Sequence, residues 1–141
     1  MILTDAGPLV ALLDADEDDH ERCVAALDTV RLPVLTTWPA FTEAMYLLGR
    51  AAGWPGQEPL WRLAQRDDLV VADQDRKSVR RSAELMRKYS DVPMDLADAS
   101  LVALAEARGL HRIFTLDSDF RVYRFRDRRH FEILPDMAAQ G

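Results

Sequence analysis

Four carboxylates stand in settings where solvent contact is not an obvious reason for them. Asp5 ends the apolar run Ile2-Leu3-Thr4 and is followed at once by Ala6, Gly7 and Pro8. Glu43 interrupts Ala40-Phe41-Thr42-Glu43-Ala44-Met45-Tyr46-Leu47-Leu48, and Asp98 interrupts Leu96-Ala97-Asp98-Ala99-Ser100-Leu101-Val102. Asp117 follows Ile113-Phe114-Thr115-Leu116. A carboxylate removed from water is costly unless it is paired or coordinates a cation. If these four converge with no matching Lys or Arg, they stay ionised together only when a cation neutralises them. An all-oxygen donor set favours a hard divalent ion, Mg²⁺ or Mn²⁺, over zinc. Such an ion suits phosphoester chemistry, because it lowers the pKa of an attacking water and steadies charge on the departing oxygen.

Each acid also has a structural reading. Glu43 could be a helix N-terminal charge favoured by the dipole. Asp95 is well placed as an N-cap, and Asp98 could complete a cap, although Glu or Gln is the usual residue three positions on. Asp119, two residues after Asp117, could shape a turn. Thr115 and Ser118 are candidates to hold a carboxylate or a water in place.

The elements that must position these residues read as an alternating α/β chain. Strands are expected at 2–4, 32–37, 69–72 and 112–115, with a short fifth at 132–134. Helices are expected at 8–15, 20–30, 39–52, 58–66, 76–89 and 95–108, with Gly53 and Gly109 as natural stops and Trp54-Pro55-Gly56 as a turn. Cys23, Ala26, Leu27 and Val30 should face inward in the second helix, and Val79, Ala83 and Met86 in the fifth. Apolar residues cover nearly every face of the Glu43 and Asp98 helices, so both should be inner helices. Short aliphatic strands separated by helices imply a mainly parallel sheet flanked by helices in three α/β/α layers, one domain over 1–141. Ligands bind such sheets beyond the carboxyl ends of the strands, where Asp5 and Asp117 stand.

Composition sets outer limits. At 141 residues, 48% hydrophobic and 30% charged, the chain matches a globular domain with a real core. No apolar run approaches a membrane span, and no basic-then-apolar leader precedes the first strand. The single cysteine excludes an internal disulfide and is consistent with a reducing cytoplasm. The net charge of −6 argues against a protein that coats nucleic acid. Cations are nevertheless concentrated in Arg76, Lys77, Arg80, Arg81, Arg87 and Lys88, and again in Arg121, Arg124, Arg126, Arg128 and Arg129. The second segment interleaves cations with Tyr123 and Phe125. It is either a phosphate grip with rings that stack on bases or a solvated edge strand whose rings enter the core. The first is read mainly as a solvated face, as is the acidic run Asp14 to Asp19. Trp54 and Trp61 are either interface residues or internal packing. His20 and Cys23 lie one turn apart with no second pair to complete a zinc site, and His111 and His130 have no partner at useful spacing.

Taken in order, Asp5 with Ala6-Gly7-Pro8-Leu9-Val10-Ala11-Leu12, Glu43, Ala97-Asp98-Ala99 and Thr115-Leu116-Asp117-Ser118-Asp119-Phe120 resemble the PIN-domain ribonucleases. Length and order are similar to the VapC-type toxins of bacterial type II toxin–antitoxin systems. The resemblance covers nearly the whole chain. It implies a carboxylate cluster that binds Mg²⁺ or Mn²⁺, an RNA substrate, a homodimer and a small antitoxin partner that blocks the site. By position, Asp5, Glu43, Asp98 and Asp117 match the family's acidic quartet and Asp119 an accessory acid. The chain departs at Ala6, where a hydroxyl residue is usual.

Two other classes compete with a metal-dependent endoribonuclease. A phosphohydrolase or phosphotransfer protein also uses an Asp after the first strand, but the usual second Asp is replaced by Gly7. A non-catalytic RNA-binding module would keep the fold, and the intact acids count against it.

Overall fold

A computed structural model describes residues 1–135; the last six residues of the expected 1–141 domain lie outside the described part. Five strands, β1 (Leu3–Thr4), β2 (Val34–Thr37), β3 (Leu69–Ala72), β4 (Arg112–Phe114) and β7 (Glu132–Leu134), form one fully parallel sheet in the order β3-β2-β1-β4-β7. A separate antiparallel pair joins β5 (Arg124–Phe125) to β6 (Arg129–His130). Six helices accompany the strands: α1 (Ala6–Leu13), α2 (His20–Leu27), α3 (Trp38–Ala52), α4 (Trp54–Gln65), α5 (Arg76–Lys88) and α6 (Leu96–Arg108).

Period-two alternation along the strands splits the core into two layers. Leu3, Leu35 and Ile113 pack with α6, Tyr89, Phe120 and Tyr123 on one face. Ile2, Val34 and Phe114 pack with Leu9, Cys23, Phe41, Leu48 and Leu60 on the other. The chain runs outward from β1 through β2 to β3, then crosses to β4 on the far side of β1. That reversal opens a crevice beyond the carboxyl ends of β1 and β4, the position at which parallel sheets bind ligands.

Local chemistry sets where the helices begin and end. Asp5, Thr37, Asp75 and Asp95 each accept a hydrogen bond from a first-turn amide of the helix they precede. Gly109 ends α6 at φ 67°, a left-handed conformation that costs glycine little. Gly53, at φ 64°, both ends α3 and starts α4. The segment Trp54-Pro55-Gly56, expected as a turn, is therefore the first turn of α4, where a proline is tolerated because its amide would be unbonded anyway.

Two expected faces differ from the structure. In α5 the buried residues are Ser78, Ser82 and Leu85; of the three expected to face inward, Met86 packs half-buried against the core, while Val79 is 59% exposed and Ala83 is also exposed. Ser82 returns its hydroxyl to the Ser78 carbonyl at 2.9 Å, so a polar residue enters the core already hydrogen-bonded. The α3 helix is not buried all round: Trp38, Thr42, Glu43, Tyr46 and Leu47 are exposed. Apolar composition does not by itself require burial, since much of any folded surface is apolar. By contrast, α6 is enclosed as expected, with every residue from Ala97 to Ala105 buried. In α2, Cys23 faces the core and Ala26 and Leu27 pack against it; the helix ends at Leu27, short of the expected 20–30, and Val30 packs against the core from just beyond it.

Candidate metal centre

Asp5, Asp98 and Asp117 meet beyond the carboxyl ends of β1 and β4. Each offers a carboxylate oxygen, and these three oxygens lie within 4.8 Å of one another. Glu43 lines the same cavity of about 240 Å³, together with Gly7, Asp95 and Leu116. Glu43 reaches it from the exposed side of α3, not from the buried interior the sequence suggested. Asp119 lies outside the three-carboxylate group and follows Asp117 in the 3₁₀ turn Ser118–Arg121.

A run of hydrogen bonds orders the acids. Asp5 Oδ1 accepts from the Ala6 amide at 2.7 Å, and Oδ2 accepts from the Thr115 hydroxyl at 3.1 Å. The same hydroxyl oxygen accepts from the Asp117 amide at 3.0 Å, and Asp117 Oδ1 accepts from the Asp119 amide at 2.9 Å. Ala6 thus contributes only its backbone amide, while Thr115 brings a hydroxyl to Asp5 from just beyond β4. Asp95 Oδ1 caps α6 through the Asp98 amide at 2.8 Å, which fixes the backbone that carries Asp98. Tyr123, fully buried, donates its hydroxyl to Asp98 Oδ2 at 2.9 Å.

The electrostatics are those of crowded acids. Burial pushes Asp98 up to about 8, and the charges of Asp5 and Asp95 add to it. Burial likewise pushes Asp5 up to about 6, with Glu43 and Asp117 contributing and the Ala6 and Thr115 hydrogen bonds opposing. Glu43 is raised by desolvation first, then by Asp95 and Asp117. Asp119 is raised by desolvation, then by Asp117. Elsewhere in the fold Arg81 pairs with Glu106 and Asp127, Lys88 with Asp127, and Arg112 with Glu132. Three convergent carboxylates are hard oxygen donors, and they fit a hard divalent cation better than a soft-ligand metal. The other metal pair that the sequence offers is unsuited to the role. His20 Nδ1 sits 2.7 Å from the Ala11 carbonyl oxygen, and Cys23 is buried in the core with its thiol pushed up to about 11.

Of the two readings of the 121–129 segment, the one with rings in the core holds. Tyr123 and Phe125 are buried with Phe120 and Phe131 in edge-to-face contacts, so neither ring is open to a base. The segment is a 3₁₀ turn and a hairpin, not an edge strand of the main sheet. Arg124 donates to the carbonyls of Arg121, Val122 and Tyr123, and Arg126 to Glu106. His111 does have partners, with Arg129 at 3.2 Å and Glu132 at 3.9 Å. Trp54 is 57% exposed, and Trp61, 37% exposed, meets Phe41 edge-on at 5.2 Å.

Sequence reasoning missed Tyr123 as a partner of Asp98. The available signal was its period-two alternation with Arg124 and Phe125, which puts it inward, where a tyrosine hydroxyl needs an acceptor.

The PIN domain family model matches residues 2–126. The chain is 26% identical over 133 residues to ribonuclease VapC26 of Mycobacterium tuberculosis, covering 94% of this chain and 91% of that one. Its fold superimposes on the crystal structure of M. tuberculosis VapC20, a sarcin-ricin loop cleaving toxin, with a TM-score of 0.82 at 19% identity, over 92% of this chain and 99% of that one. A toxin–antitoxin complex from Klebsiella pneumoniae gives a TM-score of 0.65 at 21% identity, over 85% of this chain and 90% of that one.

Proposed function

The chain belongs to the PIN domain family, and on that premise we propose that it is a divalent-metal-dependent endoribonuclease, the VapC-type toxin of a type II toxin–antitoxin pair. The observation that carries this reading is the meeting of Asp5, Asp98 and Asp117 within 4.8 Å, in a cavity that Glu43 also lines. Likeness to a ribonuclease over nearly the full length of both chains supports the RNA substrate. Likeness to a toxin–antitoxin complex supports a small protein partner.

In this reading Asp5, Asp98 and Asp117 hold Mg²⁺ or Mn²⁺, with Glu43 at the open side of the cavity and Asp119 as an accessory acid. The bound ion supplies the lowered pKa of an attacking water and neutralises charge that develops on the departing oxygen. The chain's own residues pre-organise the site. Thr115 ties Asp5 to the Asp117 backbone, and Asp95 anchors the first turn of α6. Burial and the neighbouring acids favour the protonated form of Asp98, so ion binding would draw off a proton. The whole of 1–141 acts as one unit, as a homodimer in the cytoplasm, where the lone Cys23 stays reduced. The exposed Trp38, Tyr46, Trp54 and Trp61 offer the apolar surface that protein partners need.

Expression of the chain alone in a bacterial host, beside Asp5→Asn, tests class and site together. Growth arrest with RNA loss in the parent only is expected. Equal arrest by Asp5→Asn would remove Asp5 from the site. Tight RNA binding without cleavage under any divalent ion would replace the enzyme by a binding module.

A further inference from the structure

Tyr123 stands 25 residues from Asp98 in sequence, yet its hydroxyl lies 2.9 Å from Asp98 Oδ2. Its ring is completely buried and held by two edge-on neighbours, Tyr89 and Phe120, each 5.1 Å away between ring centres. The flanking backbone is tied on both sides. The Tyr123 amide bonds the Asp119 carbonyl at 3.2 Å, and the next amide, of Arg124, donates to the Tyr89 hydroxyl at 3.0 Å. Beyond it, Glu106 accepts from the Arg126 amide at 2.7 Å and from Arg81 at 2.7 Å. Asp127, at the hairpin tip, pairs with Arg81 and Lys88. The hydroxyl therefore has little freedom to move.

Packing alone does not explain a tyrosine here, because phenylalanine would fill the same space. A buried hydroxyl needs a partner, and the partner it has is one of the three convergent acids. A carboxylate with a fixed donor on one oxygen is fixed in rotation, and its other oxygen is aimed. Partners of this kind, which orient a metal-binding side chain without touching the metal, commonly set metal affinity.

We propose that Tyr123 is a positioning residue of the metal centre, its hydroxyl locking Asp98 through Oδ2 so that the other oxygen faces the cation. The proposal rests on the metal-dependent reading above and assigns Tyr123 no contact with substrate. The aromatic cluster of Phe120, Phe125 and Phe131 and the Arg81–Glu106 pair then have a task beyond stability: they hold the hydroxyl in place.

The test is Mn²⁺ binding by calorimetry to the purified full chain and to Tyr123→Phe, with circular dichroism confirming the fold of each. Tyr123→Phe should bind Mn²⁺ about 10- to 100-fold more weakly. RNA cleavage should fall by the same factor at limiting Mn²⁺ and recover at saturating Mn²⁺. A purely structural role would leave the affinity of the folded variant unchanged, and that result overturns the proposal. If Tyr123→Phe does not fold, the parent supplies the readout. The Tyr123 hydroxyl proton should exchange slowly and shift in nuclear magnetic resonance when Mg²⁺ is added, and an unmoved signal overturns the proposal. Failure of the parent itself to bind Mn²⁺ removes the metal-dependent reading and this inference with it. Parent binding with an unaffected variant removes only the role of Tyr123.

Discussion

Asp98→Asn should stabilise the metal-free protein, and by an amount that depends on pH. Asp98 is 4% exposed and its carboxyl is pushed from 3.8 up to about 8 by burial, then by Asp5 and Asp95. A carboxylate raised on folding keeps its proton in the native state while the unfolded chain has lost it. Between about pH 4 and pH 8 the native state thus binds more protons, and stability falls as pH rises. Above about 8 both states are ionised and the penalty is constant. At 1.36 kcal/mol per pH unit the gap corresponds to about 6 kcal/mol, an upper bound that solvent in the cavity reduces to about 2–4 kcal/mol. Asparagine removes the charge, keeps the shape and still accepts from Tyr123. Urea unfolding in a chelator should give the two proteins nearly equal stability at pH 4, with Asp98→Asn ahead by about 2–4 kcal/mol at pH 8.5. Added Mn²⁺ should close that gap by stabilising the parent alone. A difference that does not change with pH, or a less stable Asp98→Asn at pH 8.5, would mean that folding does not raise the Asp98 carboxyl.

Other substitutions probe the packing. Leu85→Ala, at a fully buried position of α5, should cost about 2–5 kcal/mol in urea unfolding, whereas Val79→Ala, at an exposed position of the same helix, should stay within about 0.5 kcal/mol. The reverse order would mean that α5 presents the opposite face. Glu106→Gln weakens the paired bonds from Arg81 and the bond from the Arg126 amide. A loss of about 1–3 kcal/mol is expected, with the parent and the variant converging as salt is raised.

Much of this architecture was legible because local and global signals agree. The strands are short aliphatic runs, and Asp95 and Gly109 are cap residues at the ends of a helix apolar on every face. The convergence of Asp5, Asp98 and Asp117 followed from strand ends and a helix start sharing one edge of a parallel sheet. Legibility failed where a residue's partner is remote or its own helix satisfies it. Val79 and Ala83 are apolar and read as inward, but the buried face of α5 carries Ser78 and Ser82, whose buried polarity is met by the Ser82 hydroxyl bonding within the helix. Glu43 lies among apolar neighbours and read as buried, but those neighbours, Tyr46 at 62% and Leu47 at 36%, are themselves exposed. Trp54-Pro55-Gly56 has turn composition, yet Gly53 already makes the break and the proline fits a first helical turn. Tyr123 read equally as a ring for bases or a core ring because its acceptor lies 25 residues away, beyond any local pattern.

The central claim is that three crowded aspartates make this chain a metal-dependent ribonuclease. Its most direct test is cleavage of RNA by the purified chain across a Mn²⁺ titration, with chelated and Asp5→Asn samples run in parallel. Cleavage that rises with Mn²⁺, stops on chelation and falls at least about 100-fold in Asp5→Asn is predicted. Cleavage that persists in chelator, or that Asp5→Asn retains at the parent's rate, would contradict it.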